Sequence, residues 1–188
     1  MKIAVFGATG RTGRPLIEQA LEAGHTVTTF ARDPSRLPVQ HERLSVVQGD
    51  IADAEAVARA IAGQDAVICV LGQSPGSRHD LLSVAADRIV AGMQRHGVRR
   101  LVTLVGAGVS DPRDGPPPAP ARVMIGLLKL LAPNVLADAE RHAATVRASG
   151  LDWTIVRVPR LSDGPPRGDL RLGYERPGFA PLARADVA

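Results

Sequence analysis

The stretch Lys2-Ile3-Ala4-Val5-Phe6-Gly7-Ala8-Thr9-Gly10-Arg11-Thr12-Gly13 limits the fold more than any other part of the chain. Lys2 to Phe6 is an apolar, partly β-branched run that reads as a short buried strand. Three glycines follow at a spacing of three. Pro15 then falls in a first helical turn, where its missing N–H is no loss, and Leu16, Ile17, Ala20 and Leu21 supply an apolar helical face. Strand, glycine turn and helix start together form a cradle for a diphosphate. Gly7 allows the sharp turn, Gly10 lets a phosphate approach the backbone, and Gly13 lets the helix lie close on the strand. The N–H groups and positive dipole end of the helix then face the anion. The spacing is G-x-x-G-x-x-G, which departs from the commonest G-x-G-x-x-G pattern.

Downstream, strands and helices alternate. Thr26 to Ala31, Leu44 to Gln48, Ala66 to Leu71, Arg100 to Val105 and Trp153 to Val158 read as strands. Helical patterns run from Ala54 to Ile61, from Asp80 or Ser83 to about His96, and from Asn134 to Ser149. Such alternation predicts a parallel sheet with helices on both faces and right-handed crossovers. Asp111 to Pro120 is proline-rich and is expected to be a surface loop or lid. Val123 to Leu131 is a short apolar segment, read as a packed helix, a dimer contact or a wall of a substrate pocket. Past Pro159 the chain is rich in Gly, Pro and Arg, with Leu170 to Leu172 the best candidate strand. Leu182 to Ala188 looks like the start of a helix, and a later helix is expected to follow.

The end of the second strand is where such sheets read the adenosine ribose. Arg32 stands there, with Ser35 and Arg36 close behind. Two guanidiniums and a hydroxyl suit a phosphate dianion, so NADP(H) is favoured over NAD(H). Asp33 dissents, since a carboxylate suits a free ribose, but the following Pro34 suggests that it opens a turn. Asp50 sits at the carboxyl end of the third strand, where ligands bind, and Asp53 suits the cap of the next helix.

Composition excludes several classes. Only Trp153, Tyr174, Phe6, Phe30 and Phe179 are aromatic and the arginines are scattered, so no nucleic acid partner is expected. Cys69 stands alone in an apolar run and reads as a small core residue, with no disulfide within the chain and no metal-binding cluster. No apolar run approaches bilayer length, and Arg11 and Arg14 break the early apolar stretch. We expect a cytoplasmic protein without membrane attachment, one domain over residues 1–188, monomeric or homodimeric.

The sequence resembles the atypical short-chain dehydrogenase/reductases, in particular the NAD(P)H-binding NmrA-like proteins and the flavin reductase/biliverdin-IXβ reductase type. The likeness rests on the glycine turn, Ala31-Arg32-Asp33-Pro34-Ser35-Arg36-Leu37, Gly49-Asp50-Ile51, Gly63 to Ile68 and Arg147 to Thr154. It implies a Rossmann-like, doubly wound, three-layer α/β/α domain, with substrate-side elements at about 106–135 and 159–188. It implies that Arg32, Ser35 and Arg36 hold a 2′-phosphate, that Asp50 and Ile51 flank the adenine, and that Leu71 and Gly72 line the inner half of the cofactor site. Pro159 belongs to the same expected set. The departures bear on function. The usual Tyr-x-x-x-Lys pair is missing: the one tyrosine is Tyr174, and Lys129 does not follow it. Val105-Gly106 replace the serine usual after the fifth strand. The resemblance therefore implies direct hydride transfer to a flavin, quinone or similar planar acceptor, chemistry that needs positioning more than an acid. The alternative is a non-catalytic redox sensor acting through a protein partner. Arg160 follows the strand-six proline and is a candidate for an anionic acceptor. The five histidines read as solvated or capping residues, and Asp138, Glu140 and Arg141 as charge on a helix surface.

Overall fold

In the computed structural model, residues 1–188 are described except 38, 75, 117, 118, 169, 171 and 174–179. Strand β1 (Lys2–Phe6) is flanked by β2 (Thr26–Ala31) and β4 (Ala66–Cys69), with β3 (Leu44–Gln48) beyond β2 and β5 (Arg100–Gly106) and β6 (Asp152–Val158) beyond β4. The order β3-β2-β1-β4-β5-β6 is parallel throughout, from Lys2 against Thr26 to Gly106 against Val158. This is the Rossmann-like order. The chain winds outward from β1 to β3, crosses over, and winds outward again from β4 to β6. The connections leaving β1 and β4 run to helices on opposite faces of the sheet, and that divergence opens a crevice at the strands' carboxyl ends.

Side-chain alternation along β1 divides the core. Ala4 and Phe6 pack toward α2 (Ala54–Ile61) and α3 (Leu81–His96), joining Val57, Ile61, Ile89, Met93 and Leu101. Ile3 and Val5 pack toward α1 (Gly13–Glu22), joining Leu16, Ile17, Leu21 and Val27. The Phe6 and Phe30 rings meet with centroids 5.2 Å apart. Helix α5 (Pro133–Ala148) lies beside α3 on the same face, through Ala143 and Val146. Each of these four helices is apolar on its buried side, as its periodicity requires.

Several boundaries differ from the sequence reading. Strand β4 ends at Cys69, so Val70 and Leu71 already leave the ladder toward the crevice. Helix α4 (Ala119–Leu131) takes in Pro120, a residue that the first turn of a helix tolerates. Leu170 and Leu172 are not in strands, and Arg171 lies outside the described residues. The short pair past β6 is instead β7 (Leu161–Ser162) with β8 (Leu182–Ala183), followed by the single turn α6 (Arg184–Val187). Gln19 of α1 donates to the Ala185 carbonyl at 2.8 Å, which seats this segment beside the glycine turn. The start of the proline-rich segment is tethered. Arg157 on β6 holds Asp114 at 2.5 and 2.7 Å, and Arg147 reaches Asp111 at 3.3 Å. No helix among the described residues is long and apolar enough to cross a membrane.

Candidate functional site

The glycine turn forms the floor of the crevice by backbone geometry alone. Gly7 has φ near 97°, and a Cβ there would stand 2.8 Å from the Val70 carbonyl carbon where β4 leaves the sheet. A Cβ on Gly13 would stand 2.2 Å from the Gly7 carbonyl oxygen and 2.7 Å from the Ala8 Cα. The turn therefore closes only with hydrogen at both positions. Gly10 N–H donates to Gly7 O at 3.0 Å and fixes the loop. No side chain caps α1, and its first turn carries no acidic residue. Pro15 has no N–H and the Arg14 N–H donates to Gly10 O at 3.1 Å, which leaves the Gly13 amide and the positive dipole end of the helix to favour an anion.

The crevice is a cleft of about 740 Å³, within the ~300–1,000 Å³ usual for small-molecule sites. It runs from Arg32, Arg36, Asp50 and Ile51 past Gly7, Thr9, Gly10, Arg11 and Thr12 to Leu71 and Gly72. Eleven of the fifteen residues expected to hold a cofactor thus share one wall system. Ala8 and Gly13 sit behind that wall, fully or largely buried. Beside Thr9, the Arg32 and Arg36 side chains and Asp33 bound a side pocket of about 210 Å³. Asp33 is turned to its own loop: it accepts from Ser35 N at 3.1 Å and from Ser35 Oγ at 2.6 Å. The Ser35 hydroxyl bond first, then its amide, hold the Asp33 carboxyl below the usual carboxylate range. The Ser35 hydroxyl is thereby committed to Asp33 and stands outside the cleft wall. Asp50 accepts from Ala52 N at 2.9 Å, while Asp53 caps α2 by accepting from Glu55 N and Ala56 N at 3.0 and 3.1 Å.

Pro159 and Arg160 are outside the cleft wall. Arg160 is exposed, and its carbonyl accepts from Leu182 N at 3.0 Å in the β7–β8 pair. Arg160 is thus not among the residues that line the cleft. Arg184 lines the cleft in its place, held by Asp163 at 2.5 Å, and Arg11 reaches the same carboxylate at 3.4 Å. Tyr174 lies outside the described residues.

The other end of the cleft is walled by Leu81, Leu82, Val105, Val109, Leu136 and Ala139. Two polar residues of α5 organise this wall, and both differ from the sequence reading. Asp138 is not surface charge: it is 0% exposed and caps α3 from across the fold. It accepts from Leu82 N (2.8 Å), Ser83 N (3.0 Å), Ser83 Oγ (2.6 Å) and Gln73 Nε2 (2.7 Å). Burial alone would raise its pKa, but these hydrogen bonds, led by the Ser83 hydroxyl, leave it below the usual carboxylate range. Asp80, one of the two residues expected to open α3, makes no cap bond and pairs with Arg78 at 2.9 Å instead. His142 is not solvated: it is 2% exposed, with Nδ1 2.9 Å from Leu82 O and Nε2 2.7 Å from Thr103 Oγ1. A carbonyl only accepts, so Nδ1 carries the proton and the neutral ring accepts from Thr103. Burial holds His142 below its ordinary pKa. The only sequence signal for the pair is the spacing of Asp138 and His142, one turn apart on one face of α5. That spacing does not distinguish a buried face from a wet one. Cys69 is 2% exposed, and burial pushes its thiol up to about 11.

A family model described as NAD(P)H-binding matches residues 7–188. The chain belongs to this NAD(P)H-binding family. A (4-alkanoyl-5-oxo-2,5-dihydrofuran-3-yl)methyl phosphate reductase of Streptomyces griseus is 33% identical over 156 residues, covering 82% of this chain and 46% of its own. An uncharacterised chloroplast protein of Arabidopsis thaliana is 28% identical over 183 residues, covering 93% of this chain and 64% of its own. The chain thus spans from about half to just under two thirds of the length of these curated relatives. A solved short-chain dehydrogenase/reductase from Veillonella parvula superposes with a TM-score of 0.79 at 21% identity, over 99% of this chain and 82% of the other. That likeness establishes the fold of the family member described here.

Proposed function

We propose that the protein is an NADPH-dependent reductase that delivers hydride directly to a flavin, quinone or similar planar acceptor. The observation that carries the reading is one continuous cleft. It joins an uncapped helix start and two arginines at one end to an aliphatic chamber at the other. The Gly7–Gly13 turn fits a diphosphate, because side chains are absent where the backbone itself closes. Arg32 and Arg36 would hold the 2′-phosphate in their side pocket, with Ser35 joining them once its hydroxyl leaves Asp33. Asp50 and Ile51 would flank the adenine, and Leu71 and Gly72 the inner half. A dihydronicotinamide held there would supply the hydride, and the reduced anion of the acceptor would take its proton from solvent on leaving the chamber. The protein's part is to align the two rings and keep water away with Leu82, Val105, Val109 and Leu136. The relative named as a reductase supports the reaction class.

The test is oxidation of NADPH and NADH against a panel of flavins and quinones. The expected result is turnover with NADPH and a weaker rate with NADH. A second reading, a sensor that binds NADP(H) without turnover, draws on one observation: no tyrosine, lysine or histidine is among the described residues lining the cleft. Calorimetric NADPH binding with no oxidation by any acceptor would select it. Absence of binding to either dinucleotide would overturn both.

A further inference from the structure

Helix α4 leaves an apolar stripe facing solvent. Val123 is 73% exposed, Leu127 46%, Leu130 78% and Leu131 71%. Their spacing of four, three and one puts them on one helical face. Val135, at the start of α5, extends the stripe with 46% exposure. The other exposed large hydrophobics among the described residues, Met1, Val46, Leu170 and Leu172, lie outside α4 and α5. A cluster of this kind marks a contact with something apolar.

The stripe meets the cleft at Val135, which is both half exposed and part of the cleft wall. Leu131 adjoins Ala132, and Ala132, Val135 and Leu136 are themselves cleft wall. Leu81, Leu82, Val105 and Val109 line the same cleft, so its apolar lining runs from the chamber to Ala132 and Val135, next in sequence to the end of α4. A partner protein or a bilayer has no need of that continuity, whereas a ligand that begins inside and ends outside requires it. A second copy of the chain is poorly matched: five side chains fall short of the ~800 Å² that each partner of a stable dimer buries. From Leu131 back to Val123 the helix advances about 12 Å.

We infer that the acceptor carries an aliphatic tail, which leaves the cleft past Ala132 and Val135 and lies along the Leu131–Leu127–Val123 face of α4. This rests on the reductase reading above and names the substrate class of that site: a planar, reducible head on an alkyl or isoprenoid chain. The head takes the hydride in the chamber, and the tail supplies affinity without contributing to the chemistry.

The experiment uses benzoquinones bearing methyl, butyl, octyl or dodecyl chains, each kept below its micelle-forming concentration. With NADPH saturating, kcat/KM should rise about twofold to fourfold per added methylene, chiefly through KM, and then level off once the stripe is covered. The upper figure corresponds to about 0.8 kcal/mol per buried methylene. The Leu127→Glu/Leu130→Glu double variant should flatten the series, with an unchanged unfolding midpoint because both side chains are exposed. Equal kcat/KM for methyl and dodecyl members in the unmodified protein would overturn the inference. So would a series that the double variant leaves intact. A flat series with a dimer that the variant dissociates would assign the stripe to a second copy. A flat series with sedimentation on phosphatidylcholine vesicles would assign it to a lipid surface. Should neither a benzoquinone nor any flavin be reduced, the reductase reading fails on its own, and calorimetric titration of the same benzoquinones with NADP⁺ present still reads the tail. Affinity independent of chain length would then overturn it.

Discussion

The two ends of the cleft are built by different means. At the diphosphate end the wall is backbone: one turn of consecutive residues, closed by glycines that leave no room for a Cβ. At the acceptor end the wall is side chains, and its shape depends on Asp138 of α5 gripping the start of α3, 56 residues away in sequence. The first end tolerates almost no change of residue, and its long-range contact is backbone against backbone, Gly7 under Val70. The second is assembled from parts remote in sequence and is exposed to any change in how α3 and α5 dock. Local geometry makes a site that is specific and brittle, and tertiary contacts make one that is adaptable and costly to unpin.

The sharpest attack on the backbone end is Gly13→Val. A Cβ at 2.2 Å from the Gly7 oxygen forces the turn open, so NADPH affinity should fall at least ~100-fold, read by fluorescence titration, with a marked loss of thermal stability. The matching attack on the side-chain end is Asp138→Ala. It strands the Leu82 and Ser83 amides and removes one of two bonds from the Gln73 side chain, and should lower stability by about 2–4 kcal/mol, read as a drop in denaturant midpoint. If the ends are as separable as their construction suggests, the Asp138 variant, measured where it remains folded, keeps its affinity for adenosine 2′,5′-bisphosphate. Loss of that affinity would show that the ends are coupled. Replacing Arg32 and Arg36 together by alanine should weaken NADPH binding by about 10- to 100-fold and leave NADH binding nearly unchanged. Equal losses for both dinucleotides would remove the 2′-phosphate role.

A smaller effect separates the ends by pH. The folded pKa of His142 lies below its unfolded value because the ring is buried. As pH falls below about 6.5, the unfolded chain takes up a proton that the folded chain refuses. Stability should therefore decline on acidification by at most about 1.4 kcal/mol per pH unit from this group. His142→Gln should flatten that part of the curve; an unchanged slope would place the titration elsewhere. Smallest of all, Arg160→Ala should change kcat/KM less than about twofold, since its side chain is exposed and outside the cleft wall. A larger loss would return Arg160 to the acceptor site.

What could be read in advance follows from range. The glycine turn and the Asp33 turn each involve residues within a few positions of one another, and the Asp53 cap reaches only Glu55 N and Ala56 N. The six strands and their helical crossovers are legible because hydrophobic periodicity records which face of each element is covered. Asp138 and His142 were misread for the opposite reason. Their residue types favour water, and only the docking of α5 on α3 provides the amides, hydroxyls and carbonyl that satisfy them in the dark. The β7–β8 pair likewise depends on a meeting of Leu161 with Leu182 that no local pattern announces.

By itself, the order of residues determined an alternating parallel sheet, a side-chain-free turn at its switch point, and two guanidiniums at the end of the second strand. The tertiary structure alone decided which polar residues went inside and which aliphatic residues stayed outside. Torsional freedom and periodic burial are properties of short segments. Desolvation of a carboxylate, an imidazole or a leucine is settled only by the neighbours that the finished fold brings to it.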